Sequence, residues 1–459
     1  MKVIDLIRRS SKELKAAENV EQGDILKRLE ENGSLHYWIR CFVVVTFDID
    51  VGQKAELVFP PASLTDEEQA QVAFHAFPDS MSSTIGDAIY FFRFARNDGE
   101  EVEIKRKRKR RKFLYGYVFS RQKQDRGRKR GFFQKSLVLI TRHPFIGLFH
   151  AVMAIVGPLF FEHGERLLET TCHHISRWPR PSPSQVMELP LAGDVIETRI
   201  PEKNLERALE GKGTFVHSTE IPRFLISGGN PDDPALMMPG LLRTYGNLYR
   251  TFLPLLSDLW LLWEIMITGE PLFVFCPSPS ACSEAIACLL DLVYPVIFQG
   301  DFRPYFTIHD PDFKEIARKD TPKATVLGIT NPVFLKAVPD FPNVLAVAPS
   351  DDSNRELTAP AKWKRPMRKP ISHAESLTGD FPERLVTKRE PVIPPDFTFL
   401  RSLTGGETSV TNRGAAVKAY FRQMTTNFLS VFHPYLSPTP VENEDDARRR
   451  KHLSGAFDS

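Results

Sequence analysis

The sequence lacks the short motifs that mark most common reaction centres. Its 459 residues contain no GxSxG, HExxH or GxGxxG pattern, so a hydrolase nucleophile elbow, a zinc-protease helix and a dinucleotide-binding turn are not expected. The GKGT run at residues 211–214 is similar to the end of a phosphate-binding loop, but Glu206 occupies the position of the loop's first glycine. The backbone nest that would cradle a phosphate cannot form there. We therefore expect no catalytic residue and no cofactor.

Cysteine is also scarce, and its spacing fits neither disulfides nor zinc. The five cysteines include no CxxC pair, which favours a reducing compartment. Cys282 lies on the apolar stripe of a predicted helix, where a buried thiol is the usual role. Cys172, His173 and His174 are adjacent, and adjacent side chains on a helix point in different directions, so no metal site is expected.

The sequence has neither a large net charge nor an uninterrupted membrane-spanning run. A net charge of +3 implies no general attraction to polyanions. The first 33 residues are charged and lack the apolar core of a signal peptide. The apolar stretches 145–161 and 248–268 are interrupted by His, Pro, Asp or Glu residues, which predicts buried helices of a soluble protein.

The first half of the chain has a regular order of strands and helices. A capping box of Thr65 and Glu68 opens a helix that is predicted to end near Phe77. Apolar and β-branched runs predict strands at 38–46, 55–59, 88–95, 113–120 and 132–141, followed by helices at 145–161 and 165–175. This order requires an antiparallel sheet with helices packed on it. The proline-rich run 178–183 indicates a domain boundary.

The second half alternates helices with short apolar strands, after a polar excursion at 194–239 that we expect to contribute little core. Strands are predicted at 272–276, 305–308, 325–329 and 344–347. Such alternation is typical of a parallel sheet with crossover helices. Residues 350–395 are rich in proline and charge and predict a flexible linker. A helix is predicted at 412–436 from the apolar positions Val417, Tyr420, Phe421, Met424, Phe428 and Phe432.

The most informative stretch is residues 269–310. It contains GEPLFVFCPSPS, in which Ser278 and Pro279 start a helix after a buried strand, and it ends in DFRPYFTIHD, with GITNP following at 328–332. Further blocks occur in order at 47–61 (FDIDVGQKAELVFPP), 76–80 (AFPDS), 115–122 (YGYVFSRQ), 130–145 (RGFFQKSLVLITRHPF) and 399–405 (FLRSLTG). Together these segments resemble the sixth subfamily of DENN-domain proteins.

This resemblance implies an α/β fold in which an α+β longin-like domain precedes a three-layer central DENN domain with a mainly parallel sheet. The expected segments are a charged N-terminal extension (1–36), the longin-like domain (37–180), a connecting excursion (181–245), the central domain (246–349), a flexible linker (350–395), partial C-terminal helices (396–436) and a disordered tail (437–459). The family continues into a longer helical bundle. Here roughly one helix remains, and its apolar face needs a partner within the protein or outside it.

The resemblance also implies a function, namely guanine-nucleotide exchange on a Rab-family small GTPase of the endosomal recycling route. The GTPase contacts that it suggests are Ser278, Ser280, Phe302, Arg303, Tyr305 and Asn331. Each has a structural alternative. Ser278 could only cap a helix, Phe302 and Tyr305 could be core aromatics, Arg303 could pair with Asp301 or Asp310, and Asn331 could only shape a turn.

Three other functions stay open at this point. Some DENN relatives resemble GTPase-activating components, in which case Arg303 would act as an arginine finger. The chain could also be a non-catalytic trafficking scaffold. A nucleic-acid-binding or nuclear protein is a further alternative because of the basic run at 105–112, although no nucleic-acid partner is expected.

The basic run consists of Lys105, Arg106, Lys107, Arg108, Lys109, Arg110, Arg111 and Lys112. Eight consecutive cations must be solvated, and the run lies between two predicted strands, so it is predicted to be a loop. We interpret it as a contact with the anionic cytoplasmic leaflet, which would place the protein in the cytoplasm, peripherally bound to endosomal membranes. If the loop at 121–130 leaves the same end of the sheet, the two loops would form one basic face.

Overall fold

The computed structural model describes most of the chain between residues 34 and 431. The described residues are 34–48, 50–78, 86–96, 113–127, 131–182, 185–200, 223–225, 247–294, 296, 298, 300–316, 325–338, 341–347, 384–404 and 410–431. Residues 1–33 of the predicted N-terminal extension, the basic run, most of the predicted linker and the predicted tail lie outside these residues.

The first sheet is antiparallel and has five strands in the order β2-β1-β5-β4-β3. The strands are β1 (Cys41–Asp48), β2 (Gly52–Phe59), β3 (Gly86–Ala95), β4 (Phe113–Gln124) and β5 (Phe132–Thr141). All five strand predictions for this region are confirmed. Successive residues of β1 enter two different cores, Phe42 and Val44 on one face and Val43 and Val45 on the other, because side chains alternate along a strand.

Helices cover both faces of this sheet. The helix α1 (Asp66–His75) packs on one face, and α2 (Ile146–His163) and α3 (Arg166–Ser176) pack on the other. The capping box is confirmed, since Glu68 N–H donates to Thr65 Oγ1 (3.2 Å) and Thr65 N–H donates to Glu68 Oε2 (3.0 Å). Among the described residues, α2 alone is long and apolar enough to cross a membrane, but 72% of its apolar window is buried inside the protein, as in a core helix.

A small antiparallel sheet follows, with strands β6 (Val186–Leu191), β7 (Asp194–Arg199) and β8 (Arg223–Leu225) in that spatial order. It lies where a connecting excursion with little core was predicted. The prediction of little core, made for residues 194–239, is wrong for β7, because Ile196 is fully buried in the main core. Leu189 of β6, which precedes that range, is fully buried there as well.

The second large sheet has the order β10-β11-β9-β12-β13. Its strands are β9 (Leu272–Phe275), β10 (Asp301–Arg303), β11 (Thr325–Ile329), β12 (Asn343–Ala346) and β13 (Arg384–Thr387). The first four in space are parallel and β13 is antiparallel to β12. The α/β class with a mainly parallel second sheet is thus confirmed, whereas the likeness of the first sheet to a longin domain stays a prediction.

Helices surround the second sheet as well. Two short helical segments, α4 (Leu248–Thr251) and a 3-10 helix at Leu253–Asp258, lead into α5 (Leu259–Thr268); α6 (Pro279–Leu292) follows β9 and packs on the sheet. The opposite face is covered by α7 (Phe313–Ile316) and α8 (Val333–Ala337). One strand prediction and part of the linker prediction are wrong here. The strand expected at 305–308 lies at 301–303, and β13 falls inside the predicted linker 350–395.

Glu264 and Asp258 are two of the buried carboxyl residues of this region. Glu264 accepts hydrogen bonds from the backbone N–H groups of Val392 (2.9 Å) and Ile393 (2.7 Å) and from Arg389 Nε (3.1 Å), so it fastens the segment after β13 to α5. Asp258 Oδ1 has no hydrogen-bond partner among the described residues. Burial raises the pKa of Asp258 to about 7, because desolvation disfavours the charged form.

The last two described helices are α9 (Phe397–Thr404) and α10 (Val410–Ser430). The apolar face of α10 finds its partner within the protein, since Val417 and Phe421 are buried in the main core. Trp263 Nε1 also donates to Thr425 Oγ1 (2.9 Å). Near the end of the described part of this face, Phe428 is 43% exposed.

Candidate functional site

The carboxyl ends of the parallel strands bring three of the predicted contact residues to one edge. Cys276 N–H donates to the Ile329 carbonyl (3.0 Å), so the segments that follow β9 and β11 leave the sheet side by side. Ser278 and Ser280 are therefore near Asn331 at this edge, and all three are half-buried. In α/β proteins this edge is where ligands and partners commonly bind. We call it the carboxyl edge.

Local contacts of these residues agree with the structural roles that the sequence also allowed. Ser278 Oγ accepts from Ala281 N–H (3.2 Å) as the N-cap of α6. Asn331 Oδ1 accepts from Val333 N–H (3.0 Å) and shapes the turn into α8. Val333 was not among the predicted contact residues, although its side chain is 49% exposed at the same edge. A valine that is held on a helix start and exposed to solvent adds apolar contact area for a partner.

The two segments that contain the motifs DFRPYF and GITNP cross each other, with their backbones in contact. Phe306 N–H donates to the Gly328 carbonyl (2.7 Å). A Cβ atom at position 328 would lie 2.2 Å from the carbonyl oxygen of Pro304. Because backbone cannot yield as a flexible side chain can, only glycine fits at this position.

Arg303 lies inside the protein and not on its surface. Its side chain is 2% exposed and meets three carboxylates: Nε is 2.9 Å from Asp301 Oδ1, Nη2 is 2.6 Å from Asp312 Oδ2, and Nη1 is 3.4 Å from Asp310 Oδ2. Burial alone would lower the pKa of Arg303, but the three carboxylates raise it above its ordinary value. The internal pairing that the sequence left open is what the structure shows, with Asp312 as a third partner.

Asp310 also faces the first sheet, through His75 of α1. His75 Nε2 lies 3.6 Å from Asp310 Oδ2, and its Nδ1 lies 2.8 Å from the Gln71 carbonyl. Burial would raise the pKa of Asp310, but His75 and Arg303 hold it below its usual range. Asp310 is thus contacted both by Arg303 of β10 and by His75 of the helix that covers the first sheet.

Phe302 packs against a second buried arginine, Arg93 of β3. The Arg93 guanidinium carbon lies 3.6 Å from the ring centre of Phe113 and 4.2 Å from that of Phe302. Arg93 Nη1 also donates to the Phe302 carbonyl (3.3 Å). Stacking on aromatic faces is a common way to bury a guanidinium, so Phe302 connects β10 to β3.

Tyr305 enters the core of the first sheet, although it belongs to the second half of the chain. Its ring is fully buried and meets Tyr90 edge-on, with ring centres 5.6 Å apart. The hydroxyl donates to the Phe77 carbonyl just after α1 (3.1 Å). Tyr305 therefore fills a gap between β3 and α1 and cannot contact a partner through its ring.

Phe302, Arg303 and Tyr305 together form what we call the latch between the two large sheets. Three of the six predicted contacts belong to the latch, and the other three lie at the carboxyl edge. For Arg303, Phe302 and Tyr305 the expectation of surface exposure is corrected, because each side chain is committed to the first sheet or to the Asp301, Asp310 and Asp312 carboxylates. An arginine finger at Arg303 would have to abandon all three carboxylates.

The described residues contain no group of three or more His, Cys, Asp and Glu side chains that could hold a metal ion. At the Cys172, His173 and His174 cluster, the thiol is buried and burial raises its pKa well above the ordinary value. The His174 Nδ1 atom accepts a hydrogen bond from the Ala192 N–H (3.3 Å). These groups serve the packing of α3 against β6.

Comparisons with known proteins agree with the motifs. The family described as "Transport protein Avl9" matches residues 39–176, which cover the first sheet and its helices. Protein DENND6A of Gallus gallus is 33% identical over 417 residues, 87% of this chain and 68% of that protein. Protein DENND6A of Mus musculus is 31% identical over 439 residues, 92% and 69% of the two chains.

A third relative is more similar over a shorter range. Protein DENND6B of Mus musculus is 38% identical over 347 residues, 72% of this chain and 57% of that protein. The DENND6A matches extend over both large sheets and the latch, because they cover most of the chain. The chain belongs to the DENND6 family of DENN-domain proteins, which act in membrane trafficking.

Proposed function

We propose that the chain is a guanine-nucleotide exchange factor that promotes GDP release from a Rab-family small GTPase in endosomal membrane traffic. DENN-family proteins generally act on Rab GTPases, which supports this class of partner. The structural observation that carries the proposal is the latch, since it joins the two sheets into one rigid surface beside the exposed carboxyl edge.

Exchange of this kind needs no acid, base or cofactor from the factor. A GTPase holds its nucleotide through its own phosphate loop and magnesium ion. A partner that binds the nucleotide-free form more tightly lowers nucleotide affinity by the same factor, because binding free energies are linked. The factor must therefore supply a rigid surface that fits the nucleotide-free switch regions, and a flexible connection between the sheets would weaken that preference.

The latch and the carboxyl edge have different parts in this proposal. Ser278, Ser280, Asn331 and the exposed Val333 offer the contact surface. The latch holds the first sheet in a fixed position relative to that surface and touches no partner. We do not propose an arginine finger, because Arg303 is buried among three carboxylates.

The test is release of a fluorescent GDP analogue from a panel of purified Rab GTPases. We expect faster release from at least one endosomal Rab, and tighter binding to its nucleotide-free form than to its GDP or GTP form. Binding without faster release would indicate a non-catalytic scaffold and would refute the exchange activity. Faster phosphate release from GTP in place of GDP release would indicate a GTPase-activating component.

A pair of surface variants locates the contact. Val333→Arg places a charge on the carboxyl edge and should slow GDP release at least about ten-fold, the effect of roughly 1.4 kcal/mol at an interface. Val51→Arg is the matched control, because Val51 is 73% exposed in the turn between β1 and β2. Both variants should melt like the wild type. Equal exchange rates for the two would exclude the carboxyl edge as the contact surface.

We further propose that the protein works in the cytoplasm, peripherally bound to endosomal membranes where lipid-anchored Rab GTPases are found. The predicted contact of the 105–112 run with anionic lipid belongs to this proposal, and that run lies outside the described residues. Expression of a fluorescently tagged chain, followed by co-localisation with endosomal markers, tests the location. A uniform nuclear signal would refute it.

A further inference from the structure

His75 is the last residue of α1, and both of its ring nitrogens face oxygen atoms. Nδ1 lies 2.8 Å from the carbonyl oxygen of Gln71, one helical turn earlier, and Nε2 lies 3.6 Å from Asp310 Oδ2. The side chain of His75 is 1% exposed, so bulk water does not reach the ring. Phe92 of β3 stacks on the ring, with ring centres 4.9 Å apart, and fixes its plane.

The Gln71 carbonyl determines which ring nitrogen carries the first hydrogen. A carbonyl oxygen can only accept a hydrogen bond, so Nδ1 must be the donor. In a neutral imidazole the other nitrogen, Nε2, would then have no hydrogen. Its lone pair would point at the Asp310 carboxylate, and two buried acceptors that face each other are unfavourable.

Two other groups keep Asp310 ionised. Its Oδ1 accepts the backbone N–H of Asp312 (2.9 Å), and its Oδ2 lies 3.4 Å from Arg303 Nη1. Burial would raise the pKa of Asp310, but His75, Arg303 and the Asp312 N–H hold it below its usual range. The proton that this geometry requires between Asp310 and His75 is therefore on Nε2 of His75, and the ring is positively charged.

The other titratable groups around the ring do not offer a second anion. Tyr305 meets the His75 ring edge-on, with ring centres 6.2 Å apart, and the hydroxyl of Tyr90 donates to the His75 carbonyl (3.0 Å). Burial raises the pKa of Tyr90 well above its ordinary value, so its hydroxyl is neutral. On the same helix, Glu68 is two turns away and faces two arginines at the other end.

The charged groups beyond Asp310 are paired with one another. Asp301 and Asp312 contact Arg303, as described above. His309 directly precedes Asp310 but is exposed and stacks on Phe74 of α1, with ring centres 4.5 Å apart. The Asp310 carboxylate is thus the anion that the buried ring of His75 faces.

We propose that His75 is a pH-sensitive contact between the two large sheets, formed while its ring is protonated and weakened when Nε2 loses its hydrogen. The protonated ring joins α1, which covers the first sheet, to the segment that follows β10 of the second sheet. A histidine in an unfolded chain releases its proton at about pH 6.5. The contact keeps that proton in the folded chain, so its stabilising effect is complete at lower pH and is lost as pH rises.

The other contacts between the sheets lack this property. Carboxylates raise the pKa of Arg303 above its ordinary value, so its charge does not change with physiological pH. Tyr305 acts through its ring and a neutral hydroxyl. Histidine changes its charge between about pH 5 and 8. His75 therefore adds to the latch a contact that responds to pH.

The test is hydrogen exchange of backbone amides in the full chain, and it needs no GTPase. The amides of Asp310, Asp312 and Phe313 are hydrogen-bonded within the turn that holds the carboxylate. Their protection is measured by mass spectrometry at pH 6 and pH 8.5, with correction for the intrinsic exchange rate at each pH. We expect protection to be at least about ten-fold lower at pH 8.5, as for the loss of one charge-assisted hydrogen bond.

Two histidine variants locate the effect. His75→Gln keeps a donor for Asp310 but has no proton to lose, so its protection should be equal at the two pH values. His309→Gln is the matched control, because it removes an exposed histidine beside Asp310; it should keep the ten-fold difference. A difference that persists in His75→Gln, or no difference in the wild type, would overturn the proposal.

A third variant covers the case in which His75→Gln does not fold. In Asp310→Asn the side-chain amide can donate to an unprotonated Nε2, so no proton is required and the pH dependence should disappear. Amides of β4 that pair with β5 serve as the internal reference and should be equally protected at both pH values in every protein. An equal loss in β4 and in the turn would assign the pH effect to the whole fold and refute a local contact.

Discussion

Replacement of Arg303 by methionine tests the central feature of the structure. The variant keeps the aliphatic length and removes the charge that holds Asp301, Asp310 and Asp312. Removal of one partner of a buried ion pair commonly costs about 3–5 kcal/mol, because the remaining charge is left uncompensated. Asp301 and Asp312 keep some access to water, with side chains 28% and 18% exposed. We therefore expect a loss near the lower value, about 3 kcal/mol.

The loss is measured by thermal unfolding. At about 1–2 °C per kcal/mol for a folding unit of this size, the melting temperature should fall by roughly 3–6 °C. Arg126→Met, which removes the same charge from an exposed turn, should melt within about a degree of the wild type. Asp310→Asn gives a sharper check: it should destabilise the wild type but stabilise the Arg303→Met variant, since it then removes a buried carboxylate that has lost its arginine partner. A wild-type melting temperature for Arg303→Met would refute the buried-cluster reasoning.

Three further outcomes follow from contacts of the second sheet. Gly328→Ala should cost about 1–3 kcal/mol or more, because its Cβ would lie 2.2 Å from the Pro304 carbonyl oxygen; an unchanged urea midpoint would contradict the backbone crossing. Glu264→Ala should speed hydrogen exchange at the amides of Val392 and Ile393, which lose their acceptor, and unchanged exchange would contradict the proposed fastening. For Asp258 the folded pKa of about 7 lies above that of the unfolded chain, so the folded state keeps a proton that the unfolded state releases. The free energy of unfolding should therefore fall as pH rises from about 4 to 7. Asp258→Asn should abolish that pH dependence and raise the melting temperature at pH 8. A pH dependence that persists in the variant would contradict the assignment to Asp258.

Local patterns in the sequence were sufficient for the first sheet. Four of its strands contain a run that is buried on both sides, such as 41–45 of β1, and an apolar run in the sequence identifies such a stretch directly. The capping box of Thr65 and Glu68 involves neighbours in sequence, and for that reason it could be predicted. The α/β class was predicted from the alternation of helices and short strands in the second half and from the resemblance to DENN-domain proteins.

Contacts between distant segments could not be read from spacing. Tyr305 was assigned to a strand because its neighbours are apolar, yet its ring lies in a core whose other residues come from the first sheet and its helix, with Phe77 and Tyr90 more than 200 positions earlier. Arg303 could be paired with Asp301 or Asp310 by proximity, but nothing in the sequence shows that His75 completes the cluster.

The short strand β6 was not predicted, although its sequence has the alternating pattern of a strand. In β6, Met187, Leu189 and Leu191 alternate with exposed residues and all three are buried, which is the period of a half-buried strand. The polar composition of the surrounding region obscured that alternation. For β13 four residues carry no comparable pattern, and its pairing with β12 decides the structure.

During synthesis on the ribosome, the strands of the first sheet are translated well before a residue that completes their core. All five strands of the first sheet have been translated by residue 141, but Tyr305, which fills the space between Tyr90 and the end of α1, is translated much later. At about 5–20 residues per second, the interval is on the order of ten seconds. During that time the first sheet has an unfilled apolar gap, to which a chaperone can bind. A half-chain cut between the sheets would keep this gap permanently, so the two sheets mature as one folding unit.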